Sequence, residues 1–387
     1  MTPSLRNKPL LRMGALLTAF ACALPGSARR TNAPGHEAGT LDTGCAADFE
    51  FLVSQVERNY AGYSDKASGR HRALRVLTDS VAAAARVAED APACTRLLQT
   101  WVAFFRDRHV SVYPVPQPPP AGRLPGPSAE PTQPSALRPS FTSLDDSTLL
   151  LRIPSFDLQF KPPLDSLLAT NYGRLTSTPL VILDIRGNTG GGDATFSELI
   201  PFMYTNPIRE MGTDVLASDD NIAFFRSLLA RRELPPSVKA TVDDLVRRAE
   251  ISDGGFLSFE VQVITKDTVY PDPKIVAILI DSSVASAAEQ FLLQAKQSRK
   301  VVLFGTTNSA GVDDYANVRP VEFPSRLRRA GIPTSRSRRL PNAPVDPYGI
   351  APDVRVPYTV SDLVSYVRCH HRAGPHNPHR PRSEQFR

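Results

Sequence analysis

One stretch constrains this chain more than any other. Residues Pro179-Leu180-Val181-Ile182-Leu183-Asp184 form an apolar run that reads as a buried strand. It breaks at once into Gly187-Asn188-Thr189-Gly190-Gly191-Gly192, four glycines in six residues. Glycine leaves backbone N–H groups free to converge, and such a nest stabilises an oxyanion or a phosphate. A plain strand followed by a tight loop accounts for the same letters. The choice between the two depends on what the rest of the chain supplies.

Lys274 to Asp281 is a second buried strand, followed by Ser282-Ser283-Val284-Ala285-Ser286-Ala287-Ala288-Glu289 and a helix to about Gln297. Lys300 to Gly305 is a third. Strand, turn and helix in series predict an α/β core with parallel strands. A helix from Thr195 to Tyr204 would start directly after the glycines and point its N-terminal dipole at the turn. The mixed, charged residues 207–262 hold two expected helices (about 219–231 and 236–249) and read as an insertion or a cap over a site. The core is expected to span 146–360, with 325–345 as a basic, Pro-rich surface loop.

Upstream, Phe49, Leu52, Val53, Val56 and Tyr60 recur at helical spacing after Asp48. A second helix covers about Arg72 to Glu89, and a third follows Cys94 with Leu97, Trp101, Phe104 and Phe105 turned inward. These make an N-terminal helical subdomain over 45–112. Residues 113–145 are a Pro-rich linker without periodicity.

Arg6, Lys8 and Arg12 precede the apolar run Met13 to Leu24 and the small residues Gly26-Ser27-Ala28. That is the pattern of a secretory signal peptide over 1–28, too short for a permanent membrane span. Export, to a periplasm or outside the cell, is therefore expected. The formal charge of +6 includes those three cations. Without them it is about +3, much of it in a basic tail, 368–387, expected to be disordered. No basic stripe with interleaved aromatics marks a nucleic-acid surface. Cys369, His370, His371, His376 and His379 in the tail lack the spacing of a structural zinc site, so neither metal nor cofactor is expected. In an oxidising compartment Cys45 and Cys94, which flank helices able to pack together, form a disulfide; two buried thiols are the alternative.

Ser286 stands where a buried strand turns into a helix, between the small residues Ala285 and Ala287. A serine there is an ordinary N-cap, or a nucleophile whose own turn supplies an oxyanion donor through the Ala287 N–H. Gly190 or Gly191 could supply a second donor if the strands are neighbours. A serine nucleophile needs a base. Of seven histidines, only His71 and His109 lie in regions expected to be ordered. His109 follows an aromatic helix and precedes a β-like stretch, which holds a base or an ordinary structural histidine equally well. Asp107, Asp193, Asp346 and Asp353 are candidate orienting acids.

Four segments now occur in order: Asp107-Arg108-His109, Leu183 to Gly191, Ala285-Ser286-Ala287-Ala288-Glu289, and Gly349-Ile350-Ala351-Pro352-Asp353. Together they resemble the tail-specific (C-terminal-processing) serine peptidase family, over about residues 45–360. The resemblance implies a crotonase/Clp-protease-like β-α spiral core. One branch of that family uses a serine–lysine dyad. The corresponding stretch here, Gly305 to Val312, has no lysine, and the chain leaves no room for that branch's PDZ domain. The other branch resembles the tricorn core protease and the interphotoreceptor retinoid-binding protein repeats, and carries an Asp-x-His segment. It implies Ser286 as nucleophile, His109 as base and Asp346 as the acid, one methylene shorter than the family's glutamate. Gly190, Gly191 and Ala287 would form the oxyanion hole. Peptides or unfolded polypeptides are the implied substrates, with no nucleic acid, no stable membrane insertion and no stated oligomeric state. The competing expectation is a peptide- or apolar-ligand-binding protein on the same core that has lost catalysis.

Overall fold

The structure, a computed structural model, describes residues 44–116, 138–232, 234–252, 254–356 and 364. The expected signal peptide, most of the Pro-rich linker and the basic tail lie outside the described residues.

Three apolar runs form the centre of a six-stranded sheet. Its order is Val354–Arg355, Val301–Gly305, Ile275–Ile280, Leu180–Asp184, Thr148–Arg152, Ser140–Asp145. Every neighbouring pair is parallel except the last. Leu180–Asp184 is buried at all five residues, as a strand covered on both faces must be. Alternate side chains feed two cores. Val181, Leu183, Val276, Ile278 and Leu303 pack with Phe196, Phe291 and Leu292 from the helices. Leu180, Ile182, Ala277, Leu279 and Phe304 pack on the opposite face. Each fully buried leucine or phenylalanine stabilises the fold by roughly 1.5–3 kcal/mol. Because parallel neighbours run the same way, the turns after Asp184 and Ile280 emerge side by side at one sheet end.

The single helix expected over Thr195 to Tyr204 is three short pieces: Asp193–Phe196, a 3-10 turn Ser197–Leu199, and Ile200–Met203. Pro201 explains part of the break, since it has no N–H to give the Ser197 carbonyl.

A second, antiparallel sheet is built on Arg328–Ser337. That strand pairs with Ser111–Pro114, Tyr315–Glu322 and Thr213–Leu216, and the last pairs on to Phe256–Phe259. This corrects the expectation of a surface loop over 325–345. The charges that suggested a loop are neutralised far along the chain. Arg328 is fully buried, with Nη1 2.5 Å from Asp48 Oδ2. Arg336 pairs with Asp65 and Asp214, and Arg338 with Glu260.

The helices Cys45–Asn59, His71–Ala85 and Ala91–Val102 lie against this sheet. Phe49, Leu52, Trp101 and Phe105 share one core with Tyr315, Val321, Phe323 and Ile332. Asp90 caps the third of these helices by accepting the Ala93 N–H at 2.6 Å. Cys45 and Cys94 form a disulfide between the first and third. Beside it, the Arg328 guanidinium also donates to Thr95 Oγ1 and the Ala91 carbonyl. Residues 207–262 contribute the helices Asp219–Leu228 and Pro236–Glu250, with their own core around Phe225 and Leu245. No helix among the described residues is long and apolar enough to cross a membrane.

Candidate active site

Ser286 follows the central strand Ile275–Ile280 and precedes the helix Ala287–Ala295. It is 3% exposed and holds φ 57°, ψ −126°. A non-glycine residue in that region carries on the order of 1–3 kcal/mol of strain, so its surroundings must over-determine it. They do. The Ala285 N–H reaches the Asn188 carbonyl at 3.2 Å, and the Ser286 N–H donates to Glu289 Oε2 at 3.2 Å. Glu289 itself is fully buried. Its Oε1 accepts from Ser309 Oγ (2.5 Å) and the Gly311 N–H (2.8 Å), and its Oε2 also accepts the Val312 N–H (2.7 Å). Among the described residues no cation pairs with this carboxylate, and hydrogen-bond donors satisfy both its oxygens.

The glycine turn lies directly against this serine. A Cβ on Gly190 would sit 2.7 Å from the Ala285 carbonyl oxygen, 2.9 Å from Ser286 Cβ and 3.0 Å from the Ala287 nitrogen. One on Gly191 would sit 2.1 Å from the Phe156 backbone. Both residues hold positive φ, 101° and 140°. Only glycine can bring two backbones this close. The expected pair of N–H donors is not simply presented, however. The Gly190 N–H is already taken by Asn188 Oδ1 at 2.9 Å, while Asn188 Nδ2 donates to the Ile153 carbonyl. The Ala287 N–H, first of its helix, has no acceptor among the described residues.

His109 is partly buried at the edge of the antiparallel sheet. Its Nδ1 lies 2.6 Å from the Tyr315 carbonyl oxygen. A carbonyl can only accept, so Nδ1 carries the proton and Nε2 is left as the basic nitrogen. Asp107 Oδ1 accepts the His109 backbone N–H (2.9 Å) and Oδ2 accepts the Tyr60 hydroxyl (2.8 Å). Burial pushes the Asp107 carboxyl up, and the nearby His109 and Tyr60 pull it part of the way back.

Asp346 is 7% exposed. Its Oδ1 accepts the Asp313 and Asp314 N–H groups at 2.7 and 3.0 Å, while Oδ2 has no hydrogen-bond partner among the described residues. Burial, then the charges of Asp107 and Asp314, raise its pKa to about 8. Burial likewise lifts Asp313 to about 7 against the pull of Arg339. Asp346 therefore feels the charge of Asp107, the neighbour of His109, but the hydrogen bond expected of an orienting acid goes from His109 to a backbone carbonyl instead. Asp353, the other acid near the last motif, accepts the Leu303 N–H (2.9 Å) and pairs with Lys296. It holds the strand Val301–Gly305.

Sequence reasoning missed three groups. Asn188 and Glu289 stood inside the quoted motifs, but their partners could not be read there. The Tyr315 carbonyl carries no sequence signal, because any residue type has one.

The profile of peptidase family S41 matches residues 147–356, more than half of the chain. No curated protein matches. Among solved structures, mature CPAF complexed with lactacystin superposes with a TM-score of 0.60 at 14% identity, covering 85% of this chain and 97% of that one. Mature CPAF gives 0.56 at 14% identity, covering 85% and 95%. At that identity the likeness speaks for the fold, which matches over nearly the whole relative. Taken with the α/β core and its serine and glycine turns, the profile match shows that this chain belongs to peptidase family S41.

Proposed function

We propose that the protein is an exported serine peptidase acting on peptides or unfolded polypeptides. The observation that carries this reading is the strained, buried Ser286 turn with the Gly190 backbone pressed against it at the start of a helix. Ser286 Oγ attacks the substrate carbonyl carbon. His109 Nε2 takes the hydroxyl proton and then delivers it to the leaving amine, and water hydrolyses the resulting acyl-enzyme. The Ala287 N–H is one oxyanion donor, and the Gly190–Gly191 turn gives the second. Where Gly190 serves, its N–H leaves Asn188 Oδ1 as the oxyanion forms. The Tyr315 carbonyl fixes the tautomer of the base. Asp346 acts as the acid once ionised, above about pH 8, where its charge balances the imidazolium, with Asp107 beside it. Export is supported by the Cys45–Cys94 disulfide, which suits an oxidising compartment.

A fluorophosphonate probe should label the wild type and not Ser286→Ala. Peptide hydrolysis should fall about 10⁴-fold or more in that variant. Cleavage at the wild-type rate by Ser286→Ala would overturn the reading. A folded wild type that the probe never labels would point instead to a binding protein on this core.

A further inference from the structure

Residues 309–315 join the strand Val301–Gly305 to the strand Tyr315–Glu322, and six successive N–H groups in this segment are committed to the site. Ser309 donates to the Ile350 carbonyl at 3.0 Å, and Ala310 to the Val284 carbonyl at 2.8 Å. Gly311 and Val312 donate to Glu289. Asp313 and Asp314 donate to Asp346. The seventh residue, Tyr315, then accepts from His109 Nδ1. The segment also packs backbone on backbone against the acid's own loop: a Cβ on Gly311 would lie 2.5 Å from the Pro347 carbonyl carbon. Asp314 Oδ2 returns the grip by accepting the Val345 and Asp346 N–H groups at 2.9 Å each.

We propose that the segment 309–315 is a template that sets serine, acid and base relative to one another, and that Glu289 is the positioning residue anchoring it to the serine turn. This rests on the peptidase reading above and assigns Glu289 no contact with substrate. The physical reason is one of connectivity. Glu289 is the side chain that joins the Ser286 N–H to this segment, four donors on two oxygens. From Val312, three residues, bent at Asp314, lead to the Tyr315 carbonyl. A shift at Glu289 therefore moves the base's acceptor, although Glu289 does not touch the histidine. Displacements of about 1 Å in such constellations cost on the order of 10²-fold in rate.

Glu289→Gln tests this. The amide keeps the volume but turns an NH₂ toward donors that need an acceptor. In the folded variant kcat, counted per fluorophosphonate-titrated site, should fall about 100-fold with KM unchanged within about threefold. The downfield proton resonance of the His109 Nδ1–H, bonded to the Tyr315 carbonyl, should shift or vanish in Glu289→Gln and persist in Ser286→Ala. A purely structural role would lower the fraction of titratable sites and leave kcat per site and that resonance unchanged, which would overturn the proposal. Ser309→Ala, which removes one of the four donors to Glu289, should lower kcat about tenfold. Should Glu289→Gln fail to fold, an unchanged kcat and resonance in Ser309→Ala would overturn the proposal equally. Loss of the peptidase reading is distinct: it shows in Ser286→Ala, while the resonance reports on the template with or without turnover.

Discussion

The serine side and the histidine side of this site are held in place by different physics. Ser286 and the glycine turn stand on neighbouring parallel strands, and their close contacts are between backbones. His109 stands in the turn before the strand Ser111–Pro114, beside the buried Asp107; the Tyr315 carbonyl that its ring meets follows Asp313 and Asp314, whose N–H groups hold Asp346 and whose carboxylates bind Arg339. The first side is fixed by packing, by backbone amides and by the buried Glu289 carboxylate that accepts the Ser286 N–H. The second concentrates like charges away from water, and burial raises the pKa values of Asp107, Asp313 and Asp346. The crowded glycine backbones and the cluster of aspartates thus belong to separate layers of the fold.

The largest expected effect lies on the rigid side. On the peptidase reading proposed above, Gly190→Ala should lower kcat by about 10²–10³-fold, because its Cβ has no room beside Ala285 and Ser286 and the glycine turn must open. Gly187→Ala is the control: that position also has positive φ but open space around it, so it should cost stability and spare kcat. Equal kinetics for the two variants would break the comparison.

A smaller effect is expected on the charged side. Asp346→Asn keeps an oxygen for the Asp313 and Asp314 N–H groups and removes the charge that the carboxyl carries above about pH 8. Where an aspartate bonds the catalytic histidine directly, such an amide costs about 10⁴-fold in kcat. Here the tautomer is held by the Tyr315 carbonyl, so a loss of about 10–10²-fold is expected. A full 10⁴-fold loss would mean that Asp346 moves onto the histidine during turnover.

The smallest effect is one of stability, and its sign follows from linkage. Asp346 is held near 8 in the folded protein, against about 4 for an unfolded aspartate. Between those values the folded state binds the extra proton. Stability therefore declines as pH rises from about 4 to about 8 and levels off above. Asp346→Asn escapes this penalty. Its advantage over the wild type in urea denaturation should grow across that window, to at least ~1 kcal/mol at pH 8. A difference that stays flat with pH would deny the buried charge its cost.

The two sides also differed in how far the letters disclosed them. The parallel core was legible because its strands are unbroken apolar runs and its turns are marked by glycine and serine, residue types that few other settings require. The antiparallel sheet was not. Arg328, Arg336 and Arg338 look like a solvated run until Asp48, Asp65, Asp214 and Glu260 are folded against them. Ser286 and His109 could be singled out by chemistry, and Asp346 by its place in a motif. That the base leans on a backbone carbonyl has no signature in any side chain. Asn188 and Glu289 were visible as letters, yet a carboxylate whose partners are main-chain N–H groups looks the same in sequence as one facing water.

The order in which the chain is made gives the Tyr315 contact a further meaning. A ribosome releases His109 first, Ser286 next and Tyr315 after both. The core under the N-terminal helices is likewise completed by Val321, Phe323 and Ile332. A nascent chain that has just acquired its serine still lacks the group that orients its base and the strands that cover its helices. On the reading proposed above, the capacity to cut arrives late in synthesis, with the strand that closes the antiparallel sheet, and a prematurely terminated chain is inert.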